Sequence, residues 1–352
     1  MKSYFFILTY FAGGGTEKVF ENVSKVINEN IENAKIYLFV INGFNAEQYP
    51  VEEFVNVIKS KVELKKIAKS EKNKLVVNFS GDWKSSFVSR QISKDYISWV
   101  HQNPMTMKTA RTAFINFYLL KKSTKIVCVC KEQKEILENE FGFKNQIEVI
   151  YNSVDFEKVN KLSLLPLENV NFNYILMVAR LDFNSKDFFT VIKAYSLLPS
   201  ELQKKYKLVF LGSGPDEQKI INYVENSVPA ILKTNIILAG FDKNPYRWIK
   251  NASLNILSSK TEGFGVSIIE GMCLDCPEIL TNYRTGSKEV SENGKNTVLV
   301  PIGDYCLMRN AIERILTDEN FKNELVKNAS TFVMKFYQSE VEKMIFDFFK
   351  QF

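Results

Sequence analysis

Short apolar runs, each followed by a turn and an amphipathic stretch, recur along this chain, and that alternation constrains the fold more than any other feature. A strand, a helix and a further strand in the same sheet make parallel pairing, so the pattern predicts open parallel sheets with helices on their faces. In the first half, strands are expected at Tyr4 to Leu8, Ala34 to Val40, Leu75 to Phe79, Tyr96 to Val100, Lys125 to Cys130 and Ile147 to Tyr151. Helices are expected over Thr16 to Asn28, Thr106 to Lys122 and Lys131 to Glu140. The polar segment Asn152 to Asn173 breaks the rhythm and reads as a linker. The pattern then restarts, with strands at Tyr174 to Ala179, Tyr206 to Leu211, Ile236 to Ala239, Leu254 to Leu257, Glu278 to Thr281 and Thr297 to Val300. A last helix, about Ser339 to Phe352, carries Val341, Met344, Ile345, Phe348 and Phe349 on one side, suited to crossing back onto the first domain. At 352 residues there is chain enough for two cores. The expected division is 1–158 with about 338–352, and 159–337, both doubly wound α/β domains facing a cleft.

Composition narrows the function classes. The formal charge is +6, with the excess in the N-terminal half, but no basic cluster with interleaved aromatics resembles a nucleic-acid module. An anionic membrane surface is the preferred partner for that charge. No apolar stretch is long enough to span a bilayer, and the N-terminus lacks a signal-peptide pattern, so the expected location is cytoplasmic. Five cysteines fit that compartment; Cys273 and Cys276 form a C-x-x-C without the second pair a zinc site needs. His101 is the single histidine, which excludes a centre built of several.

Glu262 and Glu270 stand eight residues apart in T-E-G-F-G-V-S-I-I-E-G-M. Gly263 and Gly265 let the turn approach a ligand, and a helix opening near Val266 presents unpaired N–H groups and a dipole suited to a diphosphate. Arg180 and Lys186, in M-V-A-R-L-D-F-N-S-K-D, follow the first strand of the second half, where open parallel sheets bind ligands. The glycine turn A-G-G-G-T-E-K-V after the first strand of the chain is not a dinucleotide fingerprint, because its third glycine is missing.

The order of a glycine loop, A-R-L-x5-K, L-G-S-G-P, A-G-F, E-G-F-G-V-S-I-I-E-G-M and T-G-S-K-E resembles the retaining glycosyltransferases of the GT-B fold, in particular glycosyltransferase family 4. S-W-V-H-Q-N-P at 98–104, V-C-K-E-Q-K at 129–134 and I-Y-N-S-V-D at 150–155 extend the resemblance over essentially the full length. It implies an N-terminal acceptor-binding domain and a C-terminal domain for a nucleotide-sugar donor. Arg180 and Lys186 would then hold the donor diphosphate, Glu270 the ribose hydroxyls, and Glu262 the transferred sugar. Phe264, Gly265 and Val266 would offer backbone N–H groups, Gly240 and Phe241 would meet the base, and Gly14 and Gly15 would approach the phosphates. His101 corresponds to a family histidine near the reacting sugar; Asn103 beside it and Asp82 in N-F-S-G-D-W are acceptor-side candidates. The resemblance implies no metal and no cofactor beyond the nucleotide sugar, since the D-x-D of the other major glycosyltransferase fold is absent and the Arg–Lys pair supplies positive charge.

Two departures from the family pattern bear on the donor pocket. The usual C-G-V-P reads Asp275-Cys276-Pro277-Glu278, and the glycine-rich segment that follows reads N-Y-R-T-G-S-K-E, so Asn282 to Gly286 would line the donor pocket differently, with Arg284 either salt-bridged outward or touching an anionic sugar. On the acceptor side, Met105, Met107, Phe114, Phe117, Tyr118, Leu119 and Leu120 accompany Lys108, Arg111, Lys121 and Lys122. Phe114, Phe117 and Leu120 recur at helical spacing and suit a core; the whole stretch also suits a helix lying on a membrane. The reading is a peripheral membrane transferase moving a sugar, expected from UDP, onto a glycan or lipid-linked glycan acceptor. A nucleotide-sugar epimerase of the same fold and a non-catalytic sugar-nucleotide-binding subunit are its alternatives.

Overall fold

The computed structural model describes residues 2–11, 15–43, 50–109, 113–144 and 146–352. The chain divides into two compact units, Met1–Ser153 with Gln338–Phe352, and Val154–Tyr337. The boundary falls five residues earlier than the sequence reading placed it. Asn152 to Asn173 is not a bare linker: Asp155 caps a helix, Phe156–Ser163, accepting from the backbone N–H of Lys158 at 2.9 Å. Phe156 and Val159, three residues apart, bury its apolar side against the helices Tyr246–Asn251 and Val266–Cys273. Both polar appearance and amphipathic helix fit the same residues, and packing decides between them.

The first unit is built on a parallel sheet of β1 Lys2–Leu8, β2 Ala34–Val40, β3 Val55–Ile58, β4 Lys74–Asn78, β5 Tyr96–Val100, β6 Lys125–Cys128 and β7 Gln146–Val149. Its strand order is β3-β2-β1-β4-β5-β6-β7. Strand β3, four residues at the sheet's edge, is the one strand the sequence reading did not foresee. Alternate residues of a strand face opposite sides. Thus Phe5 and Ile7 of β1 pack with Leu64, Ala68 and Val88 from helices on one face. Tyr4 and Phe6 meet Phe349 of the last helix, Gln338–Lys350, at ring separations of 5.7 and 6.4 Å. That helix lies beside the helix Gly15–Asn30 and buries Val341, Ile345, Phe348 and Phe349. It belongs to the first unit.

Expected helices appear with altered limits. Lys131–Glu135 is α-helical and Ile136–Glu140 continues as a π turn. The stretch expected as Thr106 to Lys122 begins earlier, at Pro104, and comprises Pro104–Thr109 and Ala113–Lys121. A proline at the first helical position, where its missing N–H has no partner to lose, accounts for the earlier start. Arg111 and the side chains of Met107 and Lys108 lie outside the described residues. Phe117 packs on Phe141 at 4.4 Å and Leu120 is buried, but Phe114 is 84% exposed and so is not core.

The second unit carries β8 Asn173–Val178, β9 Tyr206–Leu211, β10 Ile236–Gly240, β11 Leu254–Leu257, β12 Glu278–Thr281 and β13 Val298–Val300, all parallel, in the order β10-β9-β8-β11-β12-β13. Ile175, Met177, Leu208 and Phe210 from its strands pack with Phe188, Val191, Tyr195 and Ile312 from helices. In both sheets the order reverses at one point, between β1 and β4 and between β8 and β11. Connections leave that point in opposite directions, so a crevice opens there at the carboxyl ends of the strands. No helix among the described residues is long and apolar enough to cross a membrane.

Candidate functional site

The reversal between β8 and β11 brings two loops together. The N–H of Asp187 donates to the carbonyl of Ser258 at 2.9 Å, and that of Lys260 to the carbonyl of Ser185 at 2.8 Å. Asp187 then caps the helix Phe188–Ser196, accepting from the Thr190 N–H and hydroxyl at 3.2 and 2.7 Å, which fixes the residue before it. Lys186 therefore projects from an anchored turn. Its ammonium pairs with Glu262 Oε1 and donates to Ser259 Oγ at 3.2 Å, and Ser259 Oγ donates to the same Glu262 oxygen at 2.6 Å. Side chains of Lys186 and Glu262 are only 13% and 19% exposed, so this charge pair is shielded from bulk water.

The E-G-F-G turn is clamped from the next loop, after β12. Thr285 Oγ1 donates to the Glu262 carbonyl, and Tyr283 Oη donates to the Phe264 carbonyl at 3.0 Å. Gly265, with φ 94°, forms the left-handed N-cap of the helix Val266–Cys273. A Cβ there would stand 2.3 Å from Tyr283 Oη, so both backbone and space demand glycine. The N–H of Ile268 turns back to the Gly265 carbonyl at 3.1 Å, while those of Val266 and Ser267, the first two of the helix, have no carbonyl four residues back to meet. Glu270, one turn further along, is held elsewhere: Tyr246 Oη donates to its Oε1 at 3.0 Å. Burial first, and the Glu270 carboxylate second, push the Tyr246 phenol pKa up.

Arg180 is exposed at the carboxyl end of β8. Gly240 ends β10, where its carbonyl accepts from the Gly212 N–H at 2.7 Å, and Phe241 projects 69% exposed after it. Lys186, Glu262, Phe264, Gly265 and Val266 thus share one constellation, while Glu270 stands beside it with Tyr246. Arg284 is exposed on the clamping loop. Ser259 and Tyr246 were not foreseen from sequence, and Tyr283 and Thr285 only as part of the segment 282–286; Tyr246, Tyr283 and Thr285 reach partners 19 to 24 residues away, which no local pattern marks.

Beneath the same helix lies a buried carboxyl. Glu278 on β12 is 1% exposed and accepts two hydrogen bonds from Asn255 Nδ2 on β11, at 3.1 and 2.9 Å. Burial pushes its pKa well above the usual carboxylate range. Gly271 makes room for it: a Cβ on Gly271 would sit 1.6 Å from Glu278 Oε1.

In the first unit, the carboxyl ends of β4 and of its neighbour β5 carry the acceptor-side candidates. His101 follows β5, stacked on Trp99 with ring centroids 6.1 Å apart and against Phe79 at 4.9 Å. Its imidazole donates to the Phe79 carbonyl, while Nε2 is buried with no partner among the described residues. Burial lowers its pKa to about 3, so the ring is neutral and Nε2 is an acceptor. Asp82 and Asn103 have other employment. Asp82 caps the helix Trp83–Ile92, accepting from the Ser85 N–H and hydroxyl, both at 2.9 Å. Asn103 Oδ1 accepts from the Met105 N–H at 2.9 Å as the helix Pro104–Thr109 begins. Gly15 opens the helix that follows β1; Gly14 lies outside the described residues. No cluster of three His, Cys, Asp or Glu able to hold a metal occurs among the described residues.

Residues 166–332 match the family described as Glycosyl transferases group 1. The chain is 26% identical over 232 residues to a Campylobacter jejuni N-acetylgalactosamine-N,N'-diacetylbacillosaminyl-diphospho-undecaprenol 4-alpha-N-acetylgalactosaminyltransferase, a match taking in 64% of this chain and 61% of that relative's length. It is 23% identical to the Staphylococcus aureus capsular polysaccharide biosynthesis glycosyltransferase CapM, over 88% of each chain. Among solved structures, Anabaena HepE in complex with UDP superposes with a TM-score of 0.81 at 17% identity, covering 100% of both chains. The apo form of the lipopolysaccharide outer core galactosyltransferase WaaB gives 0.76 at 19% identity, again over 100% of both. The fold is GT-B.

Proposed function

The second unit of this chain carries a glycosyl transferases group 1 domain, and from that premise we propose that the protein is a retaining glycosyltransferase. It moves a sugar from a nucleoside diphosphate, UDP in the first instance, to a lipid-linked glycan acceptor in polysaccharide or glycoconjugate synthesis. The observation that carries the reading is the shielded Lys186–Ser259–Glu262 cluster at the strand reversal of the second sheet. The UDP bound by HepE and the undecaprenol-linked substrate in the name of the Campylobacter relative support donor and acceptor class.

Breaking the bond between the sugar and the diphosphate leaves negative charge on the departing phosphate. Lys186, oriented before the reaction by Glu262 and Ser259, stabilises that charge together with Arg180 and the N–H groups opening the helix Val266–Cys273. Glu262, gripped by Lys186 and Ser259, accepts hydrogen bonds from hydroxyls of the transferred sugar. A carboxylate held by two donors is a positioned acceptor rather than an attacking nucleophile. Glu270, oriented by Tyr246, accepts from the ribose hydroxyls, and Gly240 and Phe241 meet the base. The neutral His101 Nε2 accepts from a sugar hydroxyl. Nothing in this chemistry calls for a cofactor beyond the nucleotide sugar.

The test is a panel of nucleotide sugars scored by thermal stabilisation and then by transfer to a lipid-linked acceptor. Glu270→Gln is expected mainly to weaken donor binding, and Glu262→Gln mainly to lower turnover. Equal effects of both on both parameters would remove the division of labour. A panel that neither stabilises the protein nor yields product would remove the transferase reading.

A further inference from the structure

The first unit exposes a layer the donor chemistry leaves unused. Three helices, Lys61–Ser70, Trp83–Ile92 and Ala113–Lys121, lie side by side, the second packing on both the first and the third. Inward they bury Leu64, Ala68, Val88 and Leu120. Outward they present Val62, Phe87, Phe114, Ile115 and Tyr118, with Val62 and Phe114 at 80% and 84% exposure. Single exposed apolar residues are ordinary on a protein surface; five on three adjoining helices are not.

Basic side chains accompany these apolar ones. Lys61 Nζ lies 5.7 Å from the Phe87 ring centre, and Lys122 Nζ lies 5.4 Å from that of Tyr118. Lys65, Lys66 and Lys69 are exposed on the first helix. Residues 59–122 hold fourteen Lys and Arg against four Asp and Glu, a net +10, whereas the whole chain carries +6. The rest of the chain is therefore net acidic, and the basic excess is concentrated in the segment that supplies this layer.

We infer that this three-helix face docks on an anionic lipid bilayer. Lysine ammoniums reach the anionic headgroups while Val62, Ile115, Phe114 and Tyr118 enter the boundary with the acyl chains. Nucleic acid fits less well. Twelve of the fourteen cations are lysines rather than the arginines that grip phosphates in a fixed fork, and Val62 and Ile115 offer no aromatic face for a base. The inference rests on the proposed lipid-linked acceptor for its purpose, since docking would bring enzyme and acceptor to one surface.

The test is co-sedimentation of the full chain with vesicles of phosphatidylcholine and phosphatidylglycerol in equal parts, and with phosphatidylcholine alone. Binding is expected to the anionic vesicles only and to weaken at high salt. Replacing Lys65, Lys66 and Lys69 together by alanine should lower the vesicle affinity about a hundredfold, from a contribution of about fivefold for each charge. Phe114→Ser with Tyr118→Ser should weaken binding in a way that low salt does not restore. Equal binding to both vesicle types, variants that bind like the parent, or single-stranded RNA displacing the vesicles would each overturn the inference. Stabilisation by UDP, measured on the same variants, separates the two readings: retained stabilisation without vesicle binding removes the docking face and leaves the transferase standing. Vesicle binding without stabilisation by any nucleotide sugar does the reverse.

Discussion

Gly271→Ala sets helix propensity against packing. Alanine is favoured over glycine in a helix interior by about 1 kcal/mol, so on sequence grounds the change stabilises. The structure reverses the sign. The new Cβ would stand 1.6 Å from Glu278 Oε1 and 2.8 Å from its carboxyl carbon. That carboxyl is buried on β12 and must move, breaking both bonds from Asn255 Nδ2. Two buried hydrogen bonds contribute about 2 kcal/mol together, and stranding the Asn255 amide costs about 1–3 kcal/mol more. After subtracting the propensity gain, Gly271→Ala should destabilise the second unit by about 2–4 kcal/mol, or about 5–15 °C in melting temperature. Circular dichroism melting of Gly271→Ala, Glu278→Ala and the double variant measures it. The double variant has no carboxyl to displace, so it should be at least about 1 kcal/mol more stable than the sum of the single effects implies. A rise in melting temperature for Gly271→Ala alone, or strict additivity in the cycle, would refute the reasoning.

Glu278→Gln isolates the same carboxyl electrostatically. With its native pKa raised, Glu278 is protonated in both states at low pH, but above about 4.3 the unfolded chain ionises while the native state does not. Stability therefore falls by about 1.4 kcal/mol per pH unit until the native pKa is reached. Glutamine cannot ionise, so the variant should gain on the parent as pH rises in paired urea titrations; parallel curves would show that Glu278 ionises normally. His101, as the single histidine, gives one imidazole C2–H resonance, and with a native pKa of about 3 its shift should stay constant from pH 8 to pH 5. Its stability contribution is present above the unfolded pKa of about 6.5 and is lost as pH falls toward 3. A midpoint near 6.5 in the folded protein would show an accessible ring. Gly265→Ala should cost about 1–2 kcal/mol from its left-handed backbone alone, besides displacing Tyr283 Oη, and should weaken UDP binding. Adding Tyr283→Phe should recover part of the stability, and full recovery would mean the backbone carries no strain.

Strands buried on both faces are legible because they are continuous apolar runs, as at Phe5 to Leu8 or Leu208 to Leu211. Val55–Ile58 was not: four residues on a sheet edge, one of them exposed, hold too little of either pattern. Glu262 and Lys186 could each be named from their motifs, yet their partnership across 76 residues is set by β8 lying beside β11. That neighbour relation belongs to the crossovers, not to either motif. Glu278 stood in plain view as a departure from the family pattern. Its partner signal was Gly271, since a glycine inside a helix costs stability and asks what approaches it. The acceptor side carries the sharper lesson. Asp82 and Asn103 have the chemistry to bind sugar hydroxyls, but short polar side chains that accept from hydroxyls accept equally from the open N–H groups of a helix start, and both do so here. Sequence alone cannot divide those uses; the hydrogen-bond account can. By that account His101 Nε2 differs from both, because its acceptor electron pair is buried and unmatched among the described residues. Leaving such a group unpaired costs free energy that a ligand hydroxyl would return, which makes His101 the strongest acceptor-side candidate of the three.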